Sequence, residues 1–205
     1  MEIIKQSHSI LTDLSTFNVA QFIENCGRTA YKSEDKITES SAIPFVRSII
    51  SRGHESVIEH FNITVRFITD RGVTHELVRH RLAAYTQEST RYCNYSKRGM
   101  QFIEPVFWNK NDPEYQIWLM AMESCEKYYN ILLNNNRTPQ EARSVLPNSL
   151  KTEIVCTTNI REWRHILRLR TAKTAHPQMR SLMLPLLDEL VGKLPVIFND
   201  IKEVK

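Results

Sequence analysis

Arg79-His80-Arg81-Leu82-Ala83-Ala84-Tyr85-Thr86-Gln87-Glu88-Ser89-Thr90-Arg91 puts three arginines and a histidine among hydroxyl, amide and carboxylate groups within thirteen residues. Asp70-Arg71-Gly72 reads as a turn before it, and Thr74 as the N-cap of a helix from about His75 to Tyr85. At ~100° per residue, Leu77, Val78, Leu82, Ala84 and Tyr85 gather on one arc. Glu76, Arg79, His80 and Ala83 gather on the other. Arg81 falls inside the apolar arc, which predicts a buried arginine paired with Glu55 or Glu59, while Arg79 and His80 line an open site. Thr86 to Arg91 has no apolar period and reads as a binding loop held by that helix. Its arginine forks suit phosphate, Ser89 can donate to the same group, and Gln87 can pair with an amide-like ring edge. A solvated polar turn explains any one of these residues, but such turns seldom concentrate arginine with so few acids.

The rest of the composition narrows the partner. At 205 residues the chain fits one substantial domain, and 41% hydrophobic with 24% charged residues is ordinary globular usage. No apolar run reaches the ~18 residues of a membrane span, and Met1 to Lys5 does not begin a signal peptide. Cys26, Cys93, Cys125 and Cys156 stand singly, which argues against a zinc site or a disulfide framework and for a reduced, cytoplasmic protein. The net charge of +4 is uneven. Residues 71–100 and 161–180 hold 12 of the 27 basic but 3 of the 23 acidic residues, +9 against −5 elsewhere. Two focal basic segments suit a small anionic ligand better than a nucleic-acid duplex.

Along the chain, Ile3-Ile4 begins a short strand, and residues 15–26 form a helix that Gly27 ends. A second helix fits residues 39–52, with Pro44 in its first turns. His54-Glu55 and Glu59-His60 bring histidines and carboxylates together, but H-E-x-x-x-E-H lacks the one-turn spacing of a zinc helix, so no metal is expected. Residues 62–68 alternate as a half-buried strand, and residues 100–104 form another. Asp112-Pro113 opens a long helix to Asn134, with Ile117, Met120, Met122, Tyr128, Ile131 and Leu132 on core or interface. Thr138-Pro139-Gln140-Glu141 is a capping box. A strand over 150–158 leads to a helix over 160–170 capped by Asn159, on which Arg161, Arg164 and Arg168 share a face while Arg170 points about 160° from Arg168. A last helix runs from Pro177 to Leu194, kinked or split at Pro185.

The pattern R-H-R, seven residues, S, one residue, R resembles the signature of the flavin-dependent thymidylate synthases, the ThyX family. The likeness runs from about Gly53 to Arg180 through G-H-E-S, H-E-L-V-R-H-R, R-S-V-L-P, T-T-N-I-R, L-R-L-R and A-H-P-Q, in that order. It implies an α+β single domain over 1–205, a mixed or antiparallel sheet flanked by helices, assembling as a homotetramer whose active sites several subunits share. It implies FAD-dependent reductive methylation of dUMP to dTMP, with 5,10-methylenetetrahydrofolate as carbon donor and NADPH as reductant.

By the same resemblance, Ser56, Arg79, His80, Arg81, Gln87, Asn159, Arg161 and His165 contact FAD. Glu76, Arg79, Gln87, Glu88, Ser89, Arg91, Arg143 and Arg170 hold dUMP, and Arg170 favours ionisation at N3 of the uracil. His54 falls where a folate or flavin ring is expected to stack. The chemistry needs no cysteine adduct, so Cys93 is structural. Two other classes are compatible with the basic loops: another flavin- or folate-using pyrimidine-modifying enzyme, and a non-catalytic nucleotide or RNA binder. The expected partners are dUMP, folate and further copies of the chain, with neither nucleic acid nor membrane.

Overall fold

The computed structural model describes residues 1–16, 18–97 and 99–203. Its elements are β1 (Glu2–Ile4), β2 (Ser7–Ile10), α1 (Val19–Arg28), α2 (Ala42–Ser51), β3 (Asn62–Asp70), α3 (Arg71–Leu77), β4 (Ala83–Gln87), β5 (Gln101–Ile103), α4 (Pro113–Asn134), α5 (Pro139–Ala142), β6 (Lys151–Asn159), α6 (Ile160–Arg170), α7 (Pro177–Lys193) and α8 (Pro195–Glu203). One sheet has the order β2-β3-β6-β4; β1 and β5 form a second, parallel pair. Within the larger sheet the pairings run antiparallel. Leu11 N donates to Thr64 O while Thr69 meets Gln6, and Thr158 meets Leu82 while Glu88 N donates to Glu153 O. The fold is therefore the α+β class that the resemblance implied.

The chain divides into two compact units, each built from discontinuous segments. The first comprises Met1–His8, Arg66–Arg79 and Tyr85–Val155. Its core is Tyr95, Met100, Phe102, Tyr115, Trp118, Met122, Tyr129, Ala142 and Leu150. Pro113 at the first helical position starts α4, whose Tyr115, Trp118, Met122 and Tyr129 turn inward. Of the apolar α4 residues expected on core or interface, Ile117, Met120, Tyr128 and Ile131 are exposed on the monomer and Met122 is core. The capping box forms: the N–H and hydroxyl of Thr138 both donate to Glu141 Oε2.

The second unit comprises Ser9–Val65, His80–Ala84 and the chain from Cys156 onward. In it α1, α2, α6, α7 and α8 bury Ile23, Val46, Trp163, Ile166, Leu186 and Phe198. Trp163 Nε1 donates to Ile63 O at 2.9 Å, satisfying the buried indole. Asn18 caps α1, so the helix starts at Val19 and not at residue 15, and Gly27 lies in its last turn with Arg28 after it. A Cβ on Gly27 would come within 2.6 Å of Phe45 Cζ, so close packing and not helix termination requires the glycine. Helix α7 runs through Pro185 without a break, and α8 follows Leu194.

The largest correction concerns the organising stretch. Asp70 accepts from Val73 N at 2.7 Å and starts α3 four residues earlier than expected; the helix ends at Leu77. Tyr85 hydroxyl donates to Leu77 O, one of the carbonyls the helix end leaves over. Ala83 to Gln87 is strand β4, not helix. Pairing with β6 overrides the helical preference of Leu-Ala-Ala, and the supposed apolar arc dissolves: Leu82 is 73% exposed.

Candidate functional site

In the second unit the site is built on α6 and the segment His80–Ala84. Asn159 Oδ1 accepts from Glu162 N at 2.9 Å, which fixes the start of the helix and spends that oxygen on the cap. From there the arginines divide as their spacing predicts. Arg164, 1% exposed, donates to both carboxylate oxygens of Asp200, to Ile197 O and to Glu55 at 3.3 Å. Arg161 pairs with Glu59, and Arg168 reaches Asp200 and Glu55. Arg164 is thus the buried, paired arginine. Arg81 is exposed, because the expected helix ends at Leu77 and Arg81 lies in the irregular stretch between α3 and β4. Glu55 is a partner, as expected, but of α6.

Arg170 points elsewhere. Its Nε donates to His80 Nε2 at 3.0 Å, and His80 Nδ1 lies 3.4 Å from Glu162 Oε1. His165, exposed, sets its ring edge-on to His80 at 5.7 Å between centroids. His80 is 6% exposed and does not line an open surface as expected. Burial first, then the charge of Arg170 and the neighbouring His165, push its pKa down to about 4. The ring is therefore neutral at pH 7. Since Nε2 accepts from Arg170, Nδ1 carries the proton and faces Glu162 Oε1.

His80, Glu162 and His165 bring potential metal-ligand atoms within 4.8 Å of one another. The proton on Nδ1 occupies the lone pair that a cation beside Glu162 would need, and the Arg170 guanidinium repels a cation from the other nitrogen. In the stretch His54 to His60, Glu55 and Glu59 are engaged by arginines. Ser56, His54 and His60 are exposed around the turn Glu55–His60.

In the first unit β4 and the loop after it carry the remaining residues. Gln87 Nε2 donates to Thr74 Oγ1 at 2.9 Å and more weakly to Thr152 Oγ1, so its amide is held at a set angle. Glu88 accepts from Tyr95 hydroxyl at 2.9 Å and from Lys151 Nζ at 3.1 Å. Burial, then Glu88, pushes the Tyr95 phenol well above its ordinary range, keeping it the donor. The Glu88 carboxylate is committed inside the protein. Ser89 O accepts from the backbone of Tyr92 and Cys93, closing a tight turn, and Ser89 Oγ accepts from Arg91 N. The Arg91 guanidinium sits 5.3 Å over the Tyr92 ring, and Arg143 donates to Thr90 Oγ1 at 3.2 Å. Arg79 is exposed and Glu76 half-buried at the end of α3.

Sequence reasoning missed two groups. One is Glu162, which reads as an ordinary first-turn acid. The other is Arg71, whose Nη1 is buried without a hydrogen-bond partner. A guanidinium nitrogen in that state lacks an acceptor. Its place at the start of α3 reads as turn, and nothing in the local pattern marks it. A cavity of about 960 Å³ is lined in part by Arg66, Gln87, Glu88, Tyr95, Lys151 and Glu153.

The fold matches that of a crystal structure of a UMP/dUMP methylase, PolB, from Streptomyces cacaoi bound with 5-Br dUMP. The TM-score is 0.81 over 99% of this chain and 97% of that one, at 21% identity. Residues 14–196 match the model of the family described as thymidylate synthase complementing protein. A flavin-dependent thymidylate synthase of Geobacter sulfurreducens is 34% identical over 81% of this chain and 72% of its own. One from Pyrococcus furiosus is 32% identical over 88% of this chain and 75% of its own. The chain belongs to the flavin-dependent thymidylate synthase family.

Proposed function

We propose that the protein methylates dUMP reductively to dTMP, taking the carbon from 5,10-methylenetetrahydrofolate and reducing equivalents from NADPH through FAD. The observation that carries this is the division of α6. Three of its arginines pair with Glu55, Glu59 and Asp200, while Arg170, pointing another way, donates its Nε to the neutral imidazole of His80. An arginine kept cationic in a half-buried place suits an anion, here the uracil ring as N3 and O4 take up negative charge.

The donor set fits FAD. Around α6 the neutral ring of His80 and the cations Arg161 and Arg170 offer partners to a carbonyl-rich ring and a diphosphate. The acids beside them, Glu55, Glu59 and Glu162, are already engaged. Bound FAD, once reduced, supplies the hydride that completes the methyl group. The residues assigned to it are Ser56, Arg79, His80, Arg81, Gln87, Asn159, Arg161 and His165, the last edge-on to His80.

For dUMP, Ser89, Arg91 and Arg143 hold the phosphate, and Arg71 joins them because its orphaned Nη1 lacks the acceptor that a phosphate oxygen provides. Gln87, its amide fixed by Thr74 and Thr152, reads the ring edge. Glu76 and Arg79 complete the pocket, and Glu88 shapes the loop through Tyr95 and Lys151 while offering the nucleotide its backbone. No cysteine adduct is formed; Cys93 N–H is part of the Ser89 turn. The protein acts in the cytoplasm as a homotetramer that shares its active sites.

The test is spectroscopic and chemical. Purified protein shows the visible absorption of oxidised flavin, NADPH bleaches it, and incubation with dUMP and methylenetetrahydrofolate yields dTMP. Colourless protein that takes up no FAD even with dUMP present overturns the proposal. Cys93→Ala retains dTMP formation; its abolition in a folded variant overturns the adduct-free route.

A further inference from the structure

In the first unit, Gln87 at the end of β4 has its amide nitrogen committed inside the protein. Nε2 donates to Thr74 Oγ1 at 2.9 Å and to Thr152 Oγ1 at 3.3 Å, and both threonines are fully buried. The two ends of an amide have almost the same shape, so its direction depends on what the neighbours can give and take. Thr152 does not decide it, because a hydroxyl can accept from an amide nitrogen or donate to an amide oxygen. Thr74 does. Its hydroxyl donates to Arg71 O at 3.0 Å, so its one proton is committed and only its lone pairs face Gln87. The group that meets them must be the NH2 end. Among the described residues both hydrogens of that end are then paired, and Oε1 is left for the cavity that Gln87 lines.

We propose that Thr74 is a specificity-determining residue: it locks the Gln87 amide with its oxygen toward the nucleotide, so that the site accepts a ring N–H and refuses a ring lone pair. Uracil and cytosine differ at that point. N3 of uracil carries a hydrogen, whereas N3 of cytosine is a bare acceptor. Opposite Oε1, uracil makes a hydrogen bond, while cytosine sets two lone pairs against each other and leaves both unpaired. That Gln87 meets the ring edge rests on the function proposed above; the direction of its amide does not. The contact favours the ring with its N3 hydrogen in place. It therefore acts on the choice and binding of the nucleotide, not on the later build-up of charge. Without the Thr74 hydroxyl, Thr152 can donate to Oε1, and the amide turns its NH2 group outward, a donor that suits N3 of cytosine.

Isothermal titration calorimetry of the FAD-loaded protein with dUMP and with dCMP reads the affinity ratio without turnover. The wild type prefers dUMP by about a hundredfold, the scale of one hydrogen bond gained and one buried acceptor left unpaired. Thr74→Val cuts that ratio about tenfold or more; Thr74→Ser, which keeps the hydroxyl, and Thr152→Val, which keeps the contact to Thr74, retain it. Thr74→Ala reads the same ratio if the valine variant does not fold. A merely structural role would weaken both nucleotides together and leave the ratio alone. In steady-state assays Thr74→Val raises KM for dUMP roughly tenfold with kcat little changed. Equal affinity of the wild type for dUMP and dCMP, an unchanged ratio in Thr74→Val, or the same loss in Thr152→Val overturns the inference. A wild type that takes up FAD but binds neither nucleotide, or takes up no FAD, overturns the proposed function and the specificity role with it, while leaving the direction of the amide standing.

Discussion

His80 links structure to pH. Its pKa of about 4 in the folded protein lies below the ordinary 6.5, so between those values the unfolded chain binds more protons than the native one. Stability attributable to this ring is complete above pH 6.5 and is lost as pH falls toward 4, a loss on the order of 3 kcal/mol. Chemical denaturation from pH 7 to 4.5 should show that slope, and His80→Asn should flatten it. At the phosphate, Arg143→Ala and Arg71→Ala each raise KM for dUMP by roughly tenfold or more while leaving the flavin spectrum intact, the scale of one charge-assisted hydrogen bond. Initial rates against dUMP concentration measure both. The sequence marks Arg91 and Arg170 through their setting and Arg143 through the family resemblance, but it gives the buried-arginine role to Arg81. Residue spacing can say that a guanidinium needs a carboxylate. It cannot say which arginine a carboxylate will meet when the two lie 109 positions apart, as Glu55 and Arg164 do.

Elements were legible where caps and periods act locally. Asn159 before α6, Asp112-Pro113 before α4 and the Thr138 capping box are short-range signals, and all three helices begin where those residues place them. Strand β3 showed through its strict alternation. Strand β4 did not, because Ala-Ala-Tyr-Thr-Gln carries no clear period and its conformation comes from β6, more than sixty residues later. Helix α8 was not expected: the last helix was placed at Pro177 to Leu194, and Pro195 is the first residue of one more. Two predictions belong at this scale. Gly27→Ala drives a methyl into Phe45 and Val57 at 2.6–2.9 Å and should cost about 1–3 kcal/mol, read as a lower urea midpoint with unchanged slope. Asp200→Ala removes the paired contact that ties α8 to Arg164. About half of the Asp200 side chain is solvent-exposed, so the loss should be about 1–3 kcal/mol, below that of a fully buried pair.

For the molecule as a whole, the proposed assembly gives light scattering a mass of four times 24.0 kDa, and a monomer mass at working concentration would refute it. Helix α4 keeps Ile117, Met120, Tyr128 and Ile131 exposed on the single chain. The uneven charge has a structural counterpart. In segment 161–180, Arg161, Arg164 and Arg168 are paired with Glu59, Asp200 and Glu55, so a charge count alone overstates how much of it faces a ligand. The pairing of β1 with β5 has a consequence for synthesis. Glu2 is matched to Gln101, so β1 has no β5 to pair with until about a hundred more residues have left the ribosome, some 5–20 seconds at ordinary elongation rates. During that interval the nascent chain exposes Ile3 and Ile4 with nothing to pair them, and translational pausing before position 101 should raise its demand for chaperones.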